Sequence, residues 1–458
     1  MSAWNPALSI SALPNELLVS IAAAGQEGRV PDLRPVFKSE WTLSHVSRHF
    51  RDVITGAPAL WTLVEANLNA NGSVEILRLY LERSGGCDIS ATLKHGWTAK
   101  GTERNLIAER LRQLVSQINR VWRLSIVLDS SHSVEVLLPF RDVAAPKLQY
   151  LEIIRDHIDY SRWDSVELFS AGAPELTFLK MDGFKPELPV PPWTASLTHL
   201  EFWGGQDGGD AGEDATVILS AITAKCLSLV HLYLDINWMD PSGCRFHIPP
   251  LKTLHISISD SEDEDYLLGI VDLFDTPALT KFIINNAFCE QIFEVFSAAS
   301  FPHASFPALT SFSFVNGGPC PCQSGVPFSD SIPLPPLSLF PALSSITLIN
   351  QCLTVTLVRD ILAQPWPLKS VTLCPQDRTL DDVAAAVRDG IQSQLQCGHT
   401  PPTFRLSPPL FSFIGALEAD GVDIEVFDPA RIVSSFDWRS ASIVWSSRTD
   451  AMFIESCT

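Results

Sequence analysis

Apolar residues recur along this chain in a fixed short frame. With a leucine as position 1, apolar side chains fall at positions 1, 4 and 6 and a proline stands two residues ahead. The frame occurs in Pro146-Lys-Leu-Gln-Tyr-Leu-Glu-Ile, Pro174-Glu-Leu-Thr-Phe-Leu-Lys-Met, Pro277-Ala-Leu-Thr-Lys-Phe-Ile-Ile, Pro307-Ala-Leu-Thr-Ser-Phe-Ser-Phe and Pro341-Ala-Leu-Ser-Ser-Ile-Thr-Leu. Looser copies begin at Leu197, Leu229, Leu251 and Leu368. The step from position 4 to position 6 puts both side chains on one face of an extended strand, and the proline suits a strand start that needs no ladder donor. Position 8 is Gly183, Gly204, Asn286, Asn316, Asn350 or Pro375 in six copies, residue types that end strands and tolerate turns. A unit this small cannot bury its apolar face alone, so the pattern predicts copies stacked on one another.

Successive first leucines stand 21 to 34 residues apart, near the roughly 20 to 29 of leucine-rich repeats but with insertions. Helix-like stretches at 215–226, 264–275, 288–299 and 354–364 separate the strands. Alternating strand and helix predicts an α/β fold, a solenoid whose parallel strands are joined by right-handed returns. Propeller blades and hairpin-linked sandwiches lack support in the pattern. The expected organisation is a helical unit over 1–65, a connecting helix and first irregular repeats over 66–145, the solenoid over 146–375, and a C-terminal helix, last strand and cap over 376–458. Within the last part, 422–427 is the expected final strand and 436–445 a cover for the exposed end.

The N-terminal stretch reads as helices. Pro14 sits where a missing N–H is harmless, Glu16 favours the positive helix end, and Leu13, Leu17 and Ile21 share a face. A second helix is expected over 42–54 with Leu43, Val46, Phe50, Val53 and Ile54 on one stripe, and 57–63 supplies a third short element. So few residues bury little surface by themselves, which leaves the stripe for a partner, for the next domain, or for both.

These residues resemble an F-box, whose pattern runs Leu-Pro-x-Glu-Leu-Leu, then Val-Cys-Arg-x-Trp-Arg, then Pro-x-Leu-Trp. The match is at Leu13, Pro14, Glu16, Leu17, Leu18, Ile21, Val46, Arg48, Arg51, Pro58, Leu60 and Trp61; Ser47 replaces the usual Cys, Phe50 the usual Trp, and 26–40 looks like a lengthened loop. With the helix that begins near Val74, the order is similar to that of F-box proteins with irregular leucine-rich repeats in mushroom-forming fungi. The resemblance implies a substrate-receptor subunit of a cullin-RING ubiquitin ligase. A Skp-type adaptor, and through it a cullin, would dock on Leu13, Pro14, Glu16, Leu17, Leu18, Ile21, Val46, Phe50, Leu60 and Trp61. The competing readings are helices that merely cap the solenoid, and a repeat scaffold that binds proteins with no ligase link.

Positions 3, 5 and 7 of each strand face away from positions 4 and 6, onto the concave sheet of a leucine-rich solenoid. In the first strands they are Tyr150, Glu152, Phe178, Lys180, Asp182, His199, Glu201, Trp203, His231, Tyr233 and Asp235, with His255 on the fifth; later strands carry small hydroxyls. Large amphipathic and charged side chains give contact area and specificity. The client-binding candidates are therefore Tyr150, Phe178, Lys180, His199, Glu201, Trp203, His231, Tyr233, Asp235 and His255, against the alternative of a solvated face with packed aromatics.

Composition narrows the function classes. The 458 residues are 46% hydrophobic and 18% charged, as in an ordered globular protein, and no apolar run reaches the roughly 18 residues of a membrane span. The start lacks a secretory signal and the ten cysteines lack paired spacing, so a reduced cytoplasmic or nuclear location is expected. Cys320 and Cys322 read as loop residues. A formal charge of −20 opposes nucleic-acid binding. No metal or cofactor site is expected: His199, His231 and His255 read as surface histidines. The run Asp260 to Asp265 departs from a calcium loop, and the glycines after Gly204 lack a phosphate-binding Lys-Ser/Thr. No catalytic motif appears, which predicts a binding protein and not an enzyme.

Overall fold

The structure, a computed structural model, describes residues 13–27, 38–68, 73–94, 104–129, 133–156, 164–203, 215–235, 245–258, 266–287, 306–315, 340–349, 354–363, 368–375, 380–398, 400–414 and 422–426. These divide into two compact units, one running to Ser196 and one starting at Leu197. The stretches expected at 204–214, 260–265, 288–299, 320–322 and 436–445 lie outside the described residues.

The first unit opens with helices α1 (Asn15–Glu27), α2 (Ser39–Ser44) and α3 (Arg48–Thr55) and a 3-10 turn at Pro58–Trp61. The single helix expected over 42–54 is two helices. Ser47 is extended (φ −157°, ψ 171°) and its hydroxyl accepts the Phe50 N–H at 3.2 Å, so a capping residue inside the stripe starts a new helix there. Strand and helix then alternate: β1 (Leu63–Asn67), α4 (Ser73–Arg83), β2 (Ile89–Lys94), α5 (Arg104–Val115), β3 (Val121–Asp129), α6 (Ser133–Leu137), β4 (Tyr150–Asp156), β5 (Asp164–Val166), β6 (Phe178–Asp182) and β7 (Phe184–Pro186). Strands β1, β2, β3, β4 and β6 form a parallel sheet in that order, and β5 pairs with β7.

The second unit continues the scheme with β8 (His199–Trp203), α7 (Ala215–Thr223), β9 (His231–Asp235), β10 (Phe246–His247), β11 (Thr253–Ser257), α8 (Tyr266–Asp272), β12 (Phe274–Asp275), β13 (Lys281–Asn285), β14 (Ser311–Val315), β15 (Ser345–Ile349), β16 (Ser370–Cys374), β17 (Thr403–Leu406) and β18 (Ile424–Val426). Helices Thr354–Ala363, Leu380–Gln396 and Pro408–Ile414 flank the last of these strands. Its parallel sheet runs β8-β9-β11-β13-β14-β15-β16-β17-β18, and β10 pairs with β12. The architecture is α/β and solenoid-like, a stack of strand-and-return units.

Each first leucine of the repeated frame stands two residues before a strand, from Leu148 ahead of β4 to Leu368 ahead of β16. Positions 1, 4 and 6 are buried throughout, as in Leu148, Leu151 and Ile153 or Leu309, Phe312 and Phe314. The proline has a more specific role than a missing donor. The N–H of Leu148 donates to Ala145 O at 3.1 Å, that of Leu176 to Ala173 O at 3.1 Å, and those of Leu279, Leu309 and Leu343 to Thr276, Phe306 and Phe340 O at 3.0, 3.2 and 2.9 Å. Each proline is therefore the second residue of a β-turn, where its fixed φ is favourable. The strand-ending residues act as expected: Gly183 and Asn286 take φ of 71° and 56°.

The stack begins earlier than the proline phrase. Strands β1, β2, β3 and β4 pair each with the next, and the first three bury Val64, Ala66, Ala91, Leu93, Leu124 and Ile126 at the equivalents of positions 4 and 6.

Candidate functional site

In the helical unit, the side chains of the motif sort into two groups. Leu18, Phe50, Leu60 and Trp61 are buried, whereas Leu17, Ile21 and Val46 are 50%, 49% and 55% exposed. Pro14 and Glu16 are also exposed, and Leu13 is half-buried. Leu17 and Ile21 are one turn apart on α1, and Val46 lies in the turn between α2 and α3. The indole Nε1 of Trp61 donates to Ile54 O at 2.9 Å, so α3 and the 3-10 turn are fixed together.

A polar cluster ties these helices to the first strand units. The Glu40 carboxylate is fully buried; the Tyr80 hydroxyl donates to it, as does Gln26 Nε2 at 3.0 Å, and the same amide reaches Leu60 O at 2.7 Å. The Tyr80 ring meets Trp61 edge-on at 5.1 Å, and the Arg83 guanidinium covers the Trp61 ring at 4.3 Å. Arg120 donates to Leu81 O at 2.6 Å, Ser84 Oγ at 2.8 Å and Cys87 O at 3.2 Å, satisfying groups at the end of α4.

On the strand face of the first unit, positions 3, 5 and 7 form ladders across neighbouring strands. Arg123 lies over the Tyr150 ring at 4.8 Å, and Tyr150 stacks on Phe178 at 4.3 Å with the rings 10° apart. One position further in, Ser125 Oγ donates to Glu152 Oε2 at 2.7 Å and Lys180 Nζ stands 3.4 Å from Glu152 Oε1. Tyr150, Glu152, Phe178 and Lys180 are buried and Asp182 is half-buried. Arg123 and Ser125 escaped the sequence reading because β3 has no Pro-x-Leu phrase to set its register.

The strand face of the second unit carries His199 and Glu201 on β8, His231, Tyr233 and Asp235 on β9, and His255 on β11, while the side chain of Trp203 lies outside what is described. His199 and His231 are register partners, their rings stacked at 4.3 Å and 22°. His255 meets the Tyr233 ring edge-on at 4.2 Å. Burial pushes His255 down to about 3, with a hydrogen bond to Asn285 opposing and the charge of Lys281 adding to the shift. Burial, helped by the His231 ring, pushes His199 down to about 4. His231 is lowered by burial and by the Lys281 and Lys252 ammonium groups, and Lys281 is lowered by burial. Lys281 occupies position 3 of the Pro277 phrase, one strand beyond the last of the candidate residues.

Position 5 is buried in each of the strands β4, β6, β8, β9, β11, β13, β14, β15 and β16, whereas position 3 is half-exposed in most strands of the second unit. The candidate residues Tyr150, Phe178, Lys180, Glu201, Tyr233 and His255 thus pack against cross-strand neighbours, and His199, His231 and Asp235 remain partly open to solvent. Among the described residues no group of three or more His, Cys, Asp or Glu is placed to hold a metal ion, and no helix is long and apolar enough to cross a membrane. The arrangement offers packed rings, a buried ion pair and a row of half-open polar side chains, which suits binding. No protein-family model matches the chain, and no curated protein sequence matches it.

Proposed function

We propose that the chain is the non-catalytic substrate-receptor subunit of a cullin-RING ubiquitin ligase, with an F-box-like helical unit that docks a Skp-type adaptor and leucine-rich repeats that hold a client protein. The observation that carries this reading is the sorting of the motif residues in the helical unit. Leu18, Phe50, Leu60 and Trp61 build its core, while Leu17, Ile21 and Val46 stay half-exposed. Large apolar side chains left in water at motif positions, on a unit already closed internally, fit a surface reserved for another protein. The departures from the F-box pattern also have local reasons: Ser47 caps α3 and Phe50 fills the core.

The test is co-purification of the tagged full-length protein with adaptor and cullin. Wild type is expected to recruit both. Leu17→Asp combined with Val46→Asp is expected to abolish recruitment while leaving the far-UV circular dichroism unchanged, because both side chains are exposed. Failure of the wild type to recruit adaptor, where a control F-box protein succeeds, overturns the ligase reading and leaves a repeat scaffold with no ligase link.

A further inference from the structure

The Glu40 carboxylate joins two sets of elements through its two oxygens. Oε2 accepts Gln26 Nε2 of α1 at 3.0 Å, and the same amide donates to Leu60 O of the 3-10 turn at 2.7 Å. The Ser39 hydroxyl donates to Ala22 O at 2.9 Å, so α1, α2 and the 3-10 turn are tied to one another on this side. Oε1 instead accepts the Tyr80 hydroxyl of α4, the helix packed on β1. Both side chains are fully buried. Lys38, just ahead of α2, crosses the same seam: its ammonium lies over the Tyr80 ring at 4.4 Å and donates to Glu65 O of β1 at 3.4 Å.

We propose that Glu40 is a conformational lock, which holds the three N-terminal helices at one fixed angle to α4 and β1 and so presents Leu17, Ile21 and Val46 to a partner in a single orientation. The reason is directionality. Apolar packing, such as Tyr80 against Trp61, is non-directional and lets one surface turn on another. A carboxylate accepts along its lone pairs, and hydrogen bonds to it weaken steeply as their angle departs from linear. Burial sharpens the preference. Turning the helices would part Oε1 from the Tyr80 hydroxyl where water cannot replace it, so neighbouring angles cost more than the locked one. With one oxygen bonded to the helical side and the other to the strand side, the carboxylate is the one group whose loss frees the angle while leaving the apolar contacts of both sides in place. The presentation of a partner rests on the docking surface proposed above, whereas the lock itself does not.

The test is a distance measurement by pulsed electron paramagnetic resonance on the full-length protein without adaptor, so it is decided separately from the ligase reading. A genetically encoded spin-labelled amino acid is placed at Ser20 of α1 and Arg78 of α4, both exposed, to span the seam. A second pair, at Arg78 and the exposed Arg112 of α5, stays on the strand side. The wild type should give one narrow distance distribution for each pair. Tyr80→Phe keeps the ring against Trp61 and Lys38 and removes only the bond to Oε1. It should at least double the width of the Ser20–Arg78 distribution and leave the Arg78–Arg112 distribution unchanged. Glu40→Leu, which removes both bonds without leaving a buried charge, should do the same, so the test survives if Tyr80→Phe folds poorly. An unchanged Ser20–Arg78 width in either folded variant overturns the proposal, as does equal broadening of the Arg78–Arg112 pair, which would mark a general loosening of the fold.

Discussion

Replacing Lys180 by methionine tests whether the strand face of the first unit is held by its buried ion pair. The Nζ lies 3.4 Å from Glu152 Oε1, and the two side chains are 9% and 8% exposed. At that separation and an effective dielectric of about 20, the attraction is about 5 kcal/mol. Methionine keeps most of the apolar stem and removes the charge, leaving the Glu152 carboxylate buried with the Ser125 hydroxyl still donating to it at 2.7 Å. Stranding a buried charge in this way costs about 3 to 5 kcal/mol. Glu152→Gln removes the charge that faces the ammonium and should also destabilise. Combined, the two substitutions remove both charges, so their effects should fall short of the sum by about 2 kcal/mol or more. The assay is urea unfolding of the full-length protein followed by far-UV circular dichroism, with stability differences taken from midpoint and slope. Additivity within about 0.5 kcal/mol, or a cost for Lys180→Met below about 1 kcal/mol as for an exposed pair, refutes the reasoning. The outcome also bears on the proposed role of Lys180 in client binding, since an unstable variant would lose a client that Lys180 does not touch.

Gly390→Ala should destabilise the C-terminal helices by about 1 to 3 kcal/mol despite the better helix propensity of alanine, because a Cβ there would stand 2.4 Å from Leu362 Cδ1 and 2.6 Å from Leu362 Cβ. The close Cβ means that truncating Leu362 to alanine will not rescue it; a raised urea midpoint for Gly390→Ala refutes this. His255, held near 3 by burial and flanked by Tyr233 and Lys281, binds its proton in the unfolded chain near 6.5 but not in the folded one. Its contribution is constant above about pH 6.5 and turns destabilising as the pH falls toward 3, reaching about 2 kcal/mol at pH 5. His255→Leu should lose that much of the difference between urea stabilities at pH 7.5 and pH 5, and an unchanged difference contradicts the assignment.

How much of this was legible depends on how far apart in sequence the deciding residues lie. The inward frame needs only local information: Leu148, Leu151 and Ile153 announce a buried strand face, and Pro146 announces the turn that delivers it. Strands β1 to β3 were harder because their starts use other devices, such as the buried Trp61 before β1 and the 3-10 turn Ile118–Arg120 before β3. The identities on the outer face were equally legible, yet their exposure was not. Tyr150 and Phe178 are 28 residues apart but register partners, and parallel strands about 4.8 Å apart force long side chains at equivalent positions into contact. A position 5 residue inside a sheet has such neighbours on both adjoining strands and on both sides along its own, which is why Glu152, Tyr233 and His255 are all buried. A position 3 residue has the incoming turn on one side, so His199, His231 and Lys281 keep part of their surface in solvent. Rows, not individual strands, therefore decide what a partner can touch. Tyr150, Phe178, Tyr233 and His255 accordingly pack ring against ring from one strand to the next.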